Sequence, residues 1–196
     1  LEDVRNFSAL VDEFQGTFPD NTVILSSGDN WIPGVSYNSA GQPGLADVLG
    51  VPGRGRAHVA FLNAMGFQAA TVGNHELDEG PDAFVDIIQP ETDGEATWPG
   101  AQFPYLSTNL VFENDEDTAP LVVDNGQSAG SIPGQLADTA TLQVAGKIVG
   151  LVGAAAPTLG SITDTGSLGI LPVDSDNILA LAGEIQTAVD SLTESG

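Results

Sequence analysis

Two short runs of low polarity in this sequence end in the same way, in a glycine followed by an oxygen-bearing side chain. The run TVILSS at residues 22–27 leads into Gly28-Asp29, and QAATV at residues 68–72 leads into Gly73-Asn74. Runs of this length and composition predict buried strands. Glycine lets the chain turn sharply at a strand end, and ligands of open α/β sheets bind outside the carboxyl ends of the strands. The pattern therefore predicts that Asp29 and Asn74 share one crevice.

The order of the remaining patterns indicates an α/β fold, with mixed β-sheet layers flanked by helices. Helices are predicted in the segments 4–14, 56–67, 80–90 and 176–196, and strands at 22–27, 68–73 and 103–112, with a hairpin in 139–157. Alternation on either side of Gly146 places the hairpin turn at residues 145–147. A loop is predicted at 28–44, a surface excursion at 91–103, and a long loop or hairpin at 113–138.

Charge excludes several classes of partner. The chain carries four Lys plus Arg against 27 Asp plus Glu, a formal net charge of −23. Binding to nucleic acid needs clustered cations, and an anionic bilayer repels such a surface. Cations are the natural complement, either as bound metal or as ambient salt. The composition leads to the hypothesis of a salt-adapted or marine protein, because salt screens the self-repulsion.

Other absences in the sequence narrow the possibilities further. The chain has no cysteine, so disulfides, thiolate metal sites and cysteine nucleophiles are excluded. No apolar run approaches the ~18 residues of a membrane span, and no signal peptide is recognisable in these 196 residues.

Four side chains at the two glycine exits could carry chemistry. Asp29 and Asn74 offer the oxygen ligands that suit hard or borderline divalent cations, and a carboxylate can bridge two metals. His75 and Asp78 lie three residues apart. If Asp78 accepts a hydrogen bond from one imidazole nitrogen, the other nitrogen can donate to an oxyanion or a leaving group.

Simpler interpretations of the same residues remain open. Asn74 could cap a helix in an ordinary turn, with a surface histidine beside it. Asp29 could form an Asx-turn or a cap, and Asp78 could be an acid at a helix N-terminus. Glu76 and Glu79 are predicted to be solvated, and no role is assigned to them.

Longer motifs make the comparison specific. The chain resembles the calcineurin-like metallophosphoesterases in four segments. They are GDN at 28–30, FLNAMGFQAATVGNHELDEG at 61–80, QFPYLSTNL at 102–110 and AGKIVGLVGAAAPTLGSI at 145–162. The 5′-nucleotidase branch, which includes secreted bacterial nucleotidases and alkaline phosphatases, is the most similar. The resemblance runs from about Thr22 to Pro172. Its most specific part is Gly73-Asn74-His75-Glu76 with Asp78, whereas Gly28-Asp29 alone would be weak.

This resemblance implies a role for each site residue. Asp29 would bridge two divalent metal ions (Mn, Zn, Mg, Ca or Fe), and Asn74 would ligate the second. His75 would stabilise the transition state or protonate the leaving oxygen, and Asp78 would orient His75. The implied activity is hydrolysis of phosphomonoesters, with 5′-nucleotides as substrates, in the periplasm or outside the cell. Hydrolysis of cyclic nucleotides or other phosphodiesters is one alternative, and a non-catalytic binding or adhesion domain is another.

The sequence also departs from the family pattern. No Asp-x-His motif precedes residue 1, no Gly-His-x-His motif follows the last helix, and the only other histidine is His58. Residues 1–196 are therefore interpreted as part of a catalytic domain, without the nucleotide-specificity domain. The metal site is expected to be completed by the remainder of the same polypeptide, and this chain alone is expected to be inactive.

The charge imbalance predicts that salt stabilises the fold. Between about 0.1 M and 1 M salt the Debye length falls from ~10 Å to ~3 Å, so repulsion between carboxylates weakens. The free energy of unfolding, measured by urea titration at several KCl concentrations, is expected to rise with KCl. Stability that is highest at the lowest KCl concentration would contradict the interpretation of the composition.

Overall fold

Six α-helices and eleven short strands lie within residues 2–194, the part of the chain that the computed structural model describes. The helices are α1 Glu2–Thr17, α2 Val35–Ser39, α3 Ala46–Leu49, α4 Arg56–Met65, α5 Pro81–Ile88 and α6 Ile178–Glu194. None of them is long and apolar enough to cross a membrane. The helix end expected at residue 196 lies outside the described residues.

The strands form two principal sheets and two small pairs. They are β1 Leu25–Ser26, β2 Ala69–Thr71, β3 Glu91–Asp93, β4 Ala96–Trp98, β5 Tyr105–Leu106, β6 Leu110–Val111, β7 Gln127–Ser128, β8 Leu136–Ala137, β9 Thr139–Val144, β10 Lys147–Val152 and β11 Gly169–Ile170. The first sheet has the order β1-β2-β5-β8 and is parallel throughout. The second has the order β10-β9-β7 and is mixed.

The first sheet separates two hydrophobic cores, because successive strand side chains point to opposite faces. Ala70, Tyr105 and Leu136 face a large core under α4 and α5 that also contains Trp31 and Phe84. Their strand neighbours Ala69, Leu106 and Ala137 face a smaller core shared with Ala140, Leu142 and Leu151 of the second sheet. Helices therefore cover one face of the first sheet, and the second sheet covers the other.

The last helix adds a fourth layer on the outer face of the second sheet. There α6 packs against β10, and Leu192 approaches Gly150, where a Cβ would lie 3.1 Å from the leucine. The structure thus stacks helices, the first sheet, the second sheet and α6. The predicted α/β fold, with mixed sheets flanked by helices, is confirmed. The predicted hairpin is present as β9 and β10, with Ala145 and Gly146 at positive φ in its turn.

Four local predictions needed correction. Helix α2 occupies residues 35–39, within the segment 28–44 where a loop was expected. The excursion at 91–103 is the β3–β4 hairpin, turning at Gly94, and its Trp98 is only 1% exposed in the core. The segment 113–138 contributes the sheet strand β8. The run at 22–27 forms an edge strand, with Leu25 47% exposed, because the sheet order places β1 at the end.

Arg56 is a buried cation that joins three parts of the large core. Its guanidinium donates to the carbonyl oxygens of Val51 at 3.0 Å and Asp86 at 3.1 Å, and pairs with Glu91. It also lies 5.7 Å from the ring centroid of Trp98, in the range of a cation–π contact. The start of α4 is thereby attached to α5 and to the β3–β4 hairpin.

Replacing Arg56 with Met should lower the free energy of unfolding by about 2–4 kcal/mol, because two carbonyl oxygens lose their donors in the interior. Urea unfolding measures the change. Lys147→Met is the matched control, since it removes the same charge at an exposed position, and should change stability by less than about 0.5 kcal/mol. Equal effects of the two variants would show that the loss is electrostatic rather than due to the buried contacts.

Candidate functional site

The two glycine exits lie directly against each other at the carboxyl edge of the first sheet. Strands β1 and β2 pair in parallel up to Ser26 and Ala70, and both segments turn beyond that point. Gly28 has a φ of +90°, and a Cβ on it would lie 2.5 Å from the Gly73 nitrogen. A Cβ on Gly73 would in turn collide with Asp29 Oδ1. Side chains are thus excluded at both positions, and the crevice predicted from the sequence is formed by backbone contact.

Asp29 stands in a left-handed conformation, with φ of +58°. This region is uncommon for residues other than glycine, although Asp and Asn tolerate it, and such strain clusters at functional sites. Asp29 Oδ1 accepts the backbone N–H of His75 at 3.1 Å. The carboxylate therefore serves the opposite exit, 46 residues away, rather than an Asx-turn of its own.

The second exit places Asn74, His75 and Asp78 around a single 3₁₀ turn, His75–Leu77. Asn74 occupies the cap position of this turn, but its side chain makes no capping hydrogen bond. His75 Nδ1 lies 2.6 Å from Asp78 Oδ2, and Asp78 Oδ1 accepts the Thr163 hydroxyl at 3.3 Å. The structure thus brings His75 and Asp78 together as the spacing predicted, and Asp29 reaches the same turn.

The contact with Asp78 sets the protonation of His75. The hydrogen bond to the Asp78 carboxylate raises the pKa of His75, and burial opposes it only in part. The negative charges of Asp29 and Glu76 add to the increase. More of the imidazole is therefore protonated at a given pH than in a free histidine. His58, the other histidine, has the opposite shift, because burial lowers its pKa.

Glu76 was predicted to be solvated, and this was wrong. It is 2% exposed, and its carboxylate lies between the two exits. Oε2 accepts the backbone N–H groups of Asp29 and Gly73, both at 2.8 Å. Oε1 accepts the backbone N–H of Asn30 at 2.7 Å and its side-chain amide at 2.9 Å. Burial raises the pKa of Glu76, while the backbone hydrogen bonds act in the opposite direction.

Glu79 was also predicted to be solvated, but it forms part of a polar cluster beside the site. Its carboxylate accepts the Tyr37 hydroxyl at 2.9 Å and pairs with Arg54 at 2.7 Å. The Arg54 guanidinium lies 5.8 Å from the Tyr37 ring centroid. Burial and the neighbouring Glu79 raise the pKa of Tyr37. No local sequence pattern marks these contacts, since Tyr37 and Glu79 are 42 residues apart.

The donors present fit part of a divalent metal site. Asp29 and Asn74 offer carboxylate and amide oxygens on adjoining exits, which suits hard cations. Within residues 2–194, however, no group of three or more His, Cys, Asp or Glu side chains is arranged to hold a metal ion. Any metal centre at this edge would need further ligands beyond those two oxygens.

Known proteins resemble the chain in both fold and sequence. The fold is similar to that of the 5′-nucleotidase precursor from Thermus thermophilus, with a TM-score of 0.58 and 22% identity over 91% of this chain and 29% of that one. It is also similar to the NAD nucleotidase of Haemophilus influenzae, with a TM-score of 0.54 and 20% identity over 92% of this chain and 29% of that one. At such identities the likeness concerns the fold alone.

Sequence similarity points to the same group. The chain is 26% identical to a mouse (Mus musculus) 5′-nucleotidase over 121 residues, which are 62% of this chain and 17% of that protein. It is 30% identical to a cattle (Bos taurus) 5′-nucleotidase over 93 residues, 47% of this chain and 12% of that protein. No model of a known protein family matches. The resemblance to 5′-nucleotidases is confirmed, and the chain spans less than a fifth of either curated relative.

The effect of Asp78 on the pKa of His75 can be tested with His58 as an internal reference. In a pH titration of the two histidines by NMR, His75 should have a pKa above the usual ~6.5 and His58 one below it. Asp78→Asn should lower the pKa of His75, because the carboxylate charge is removed, and should leave His58 unchanged. A His75 pKa that does not respond to Asp78→Asn would show that the contact does not control its protonation.

Proposed function

We propose that this chain is part of a metal-dependent phosphoesterase that hydrolyses phosphomonoesters, with 5′-nucleotides as substrates. One observation carries the proposal: the Asp29 carboxylate contacts the turn on which His75 is paired with Asp78. A carboxylate ligand for hard cations and a protonatable imidazole are therefore adjacent at the carboxyl edge of a parallel sheet, where α/β folds bind ligands. The name of the two curated relatives, 5′-nucleotidase, supports the substrate class.

His75 supplies the proton in this proposal. Asp78 accepts from Nδ1–H, which fixes the ring and leaves Nε2 as the second donor. When the ring is protonated, it can act as a general acid. In this state Nε2–H donates to a phosphoryl oxygen or protonates the leaving oxygen of the ester.

Asp29 and Asn74 would hold the metal from this part of the polypeptide. Divalent cations in such sites neutralise phosphoryl charge and lower the pKa of bound water. The chain's own contribution is to place Asp29 and Asn74 on adjoining exits beside His75. The candidate metal ions are Mn, Zn, Mg, Ca and Fe.

We further propose that residues 1–196 are one part of the catalytic domain and that the rest of the same polypeptide completes it. The exposed apolar surface of the first elements supports this. Phe7, Leu10 and Phe14 of α1 are about half exposed and line a groove of about 430 Å³. Nearby, no strand of residues 2–194 pairs with the outer edge of β1. A strand carrying the Asp-x-His motif would pair with β1 there. As the location of the whole protein we propose the periplasm or the outside of the cell.

The test is Mn²⁺-dependent hydrolysis of AMP by the full-length polypeptide that carries this sequence. Asn74→Ala should lower kcat/KM at least ~10-fold, since even indirect support of a metal ligand is worth 10–100-fold. Asn38→Ala is the matched control, because Asn38 is exposed in α2 and belongs to neither exit. Its kcat/KM should equal that of the unmodified protein.

Equal rates for the Asn74→Ala and Asn38→Ala proteins would refute the site assignment. Faster hydrolysis of a 2′,3′-cyclic nucleotide than of AMP would instead identify a phosphodiesterase on the same site. A full-length protein that hydrolyses neither compound with any of the five metals would support the third possibility, a binding or adhesion domain that has kept the fold.

A further inference from the structure

The hydrogen bonds of Glu76 reach both strand exits at once. Its two oxygens receive four N–H donors: three from the backbone of Asp29, Asn30 and Gly73, and one from the Asn30 side chain. Beyond Ser26 and Ala70 the sheet ladder of β1 and β2 no longer pairs these N–H groups, and buried N–H groups require acceptors. Glu76 is therefore the shared acceptor of two segments that are about 46 residues apart in sequence.

Only an ionised carboxylate satisfies this arrangement. It offers about four acceptor positions on two oxygens and carries no donor. A glutamine has the same shape, but one of its ends is an NH₂ group, which would face backbone N–H donors. An aspartate is one methylene shorter and would not span both exits from the same turn.

We infer that Glu76 is a positioning residue, which sets the place of Asp29 and Asn74 by bridging the backbones that carry them. The inference rests on the proposed function, in which these two side chains hold metal. Glu76 fixes the N–H groups of Asp29 and Asn30 on one exit and that of Gly73 on the other. The left-handed Asp29 is thereby held so that Oδ1 reaches the His75 N–H, while Asn74 follows directly after Gly73. Glu76 itself does not contact the substrate.

The first readout needs no activity. In the unmodified chain, hydrogen exchange of the Asp29, Asn30 and Gly73 amides, followed by NMR, should be slow. In Glu76→Gln these three amides should exchange at least ~10-fold faster, while the amide of Tyr105 in the sheet keeps its protection. Glu13→Gln is the matched control, because it removes an exposed carboxylate from α1, and it should change none of them.

The second readout is the Mn²⁺ dependence of AMP hydrolysis by the full-length protein. Displaced ligands should raise the Mn²⁺ concentration for half-maximal activity by about 10–100-fold, and saturating Mn²⁺ should restore much of the rate. A general loss of folded protein would lower the rate at every Mn²⁺ concentration and would not shift that midpoint. Glu76→Asp, whose shorter side chain cannot span both exits, should shift the midpoint in the same direction.

The possible results separate the inference from the proposed function. Fast exchange of the three amides in the unmodified chain would overturn the inference, even if the variants do not fold. An active Glu76→Gln protein with an unchanged Mn²⁺ midpoint would overturn it as well. Faster exchange in Glu76→Gln, combined with no AMP hydrolysis by the unmodified protein, would sustain the bridging role and refute the proposed function instead.

Discussion

The site depends on one requirement: the backbone N–H groups just beyond the last paired residues of β1 and β2 need a hydrogen-bond acceptor. Those backbones approach so closely that neither Gly28 nor Gly73 can carry a Cβ, so no side chain separates them. Their N–H groups converge on the carboxylate of Glu76. Close approach without an acceptor would leave several N–H donors unpaired, and an acceptor without the glycines could not reach both exits. The two glycines and the Glu76 carboxylate are therefore needed together.

The rest of the fold makes that edge rigid. Tyr105 lies at the centre of the sheet, with Phe84 at 5.1 Å between ring centroids and Trp31 at 6.5 Å. Trp31 directly follows the first exit and Phe84 belongs to α5, which follows the second. On the other face small residues such as Ala69 and Ala137 let the second sheet pack closely. Large aromatic side chains thus fix the exits from the helical side, while small ones bring the two sheets together.

Strong local signals in the sequence were enough to predict the layers and the pairing of His75 with Asp78. The alternation around Gly146 and the glycines after β1 and β2 are visible within a few residues. Strand β8 could not be predicted in this way, because two residues carry no periodicity and the strand is defined by its pairing with β5, which is distant in sequence. Burial of Glu76 was missed for a related reason, since its donors come mainly from a segment 46 or more residues away. A glutamate three residues after a glycine exit is the only local signal that could have indicated it.

The exposed edge of β1 has a consequence for handling the molecule. A free strand edge beside apolar side chains such as Leu25 and Phe14 invites joining of copies edge to edge. A net charge of −23 keeps copies apart only while the solution does not screen it. Salt that favours folding of the chain therefore also removes its protection against association. For this chain in isolation, we expect folding and colloidal solubility to have opposite salt optima, with a usable window between them.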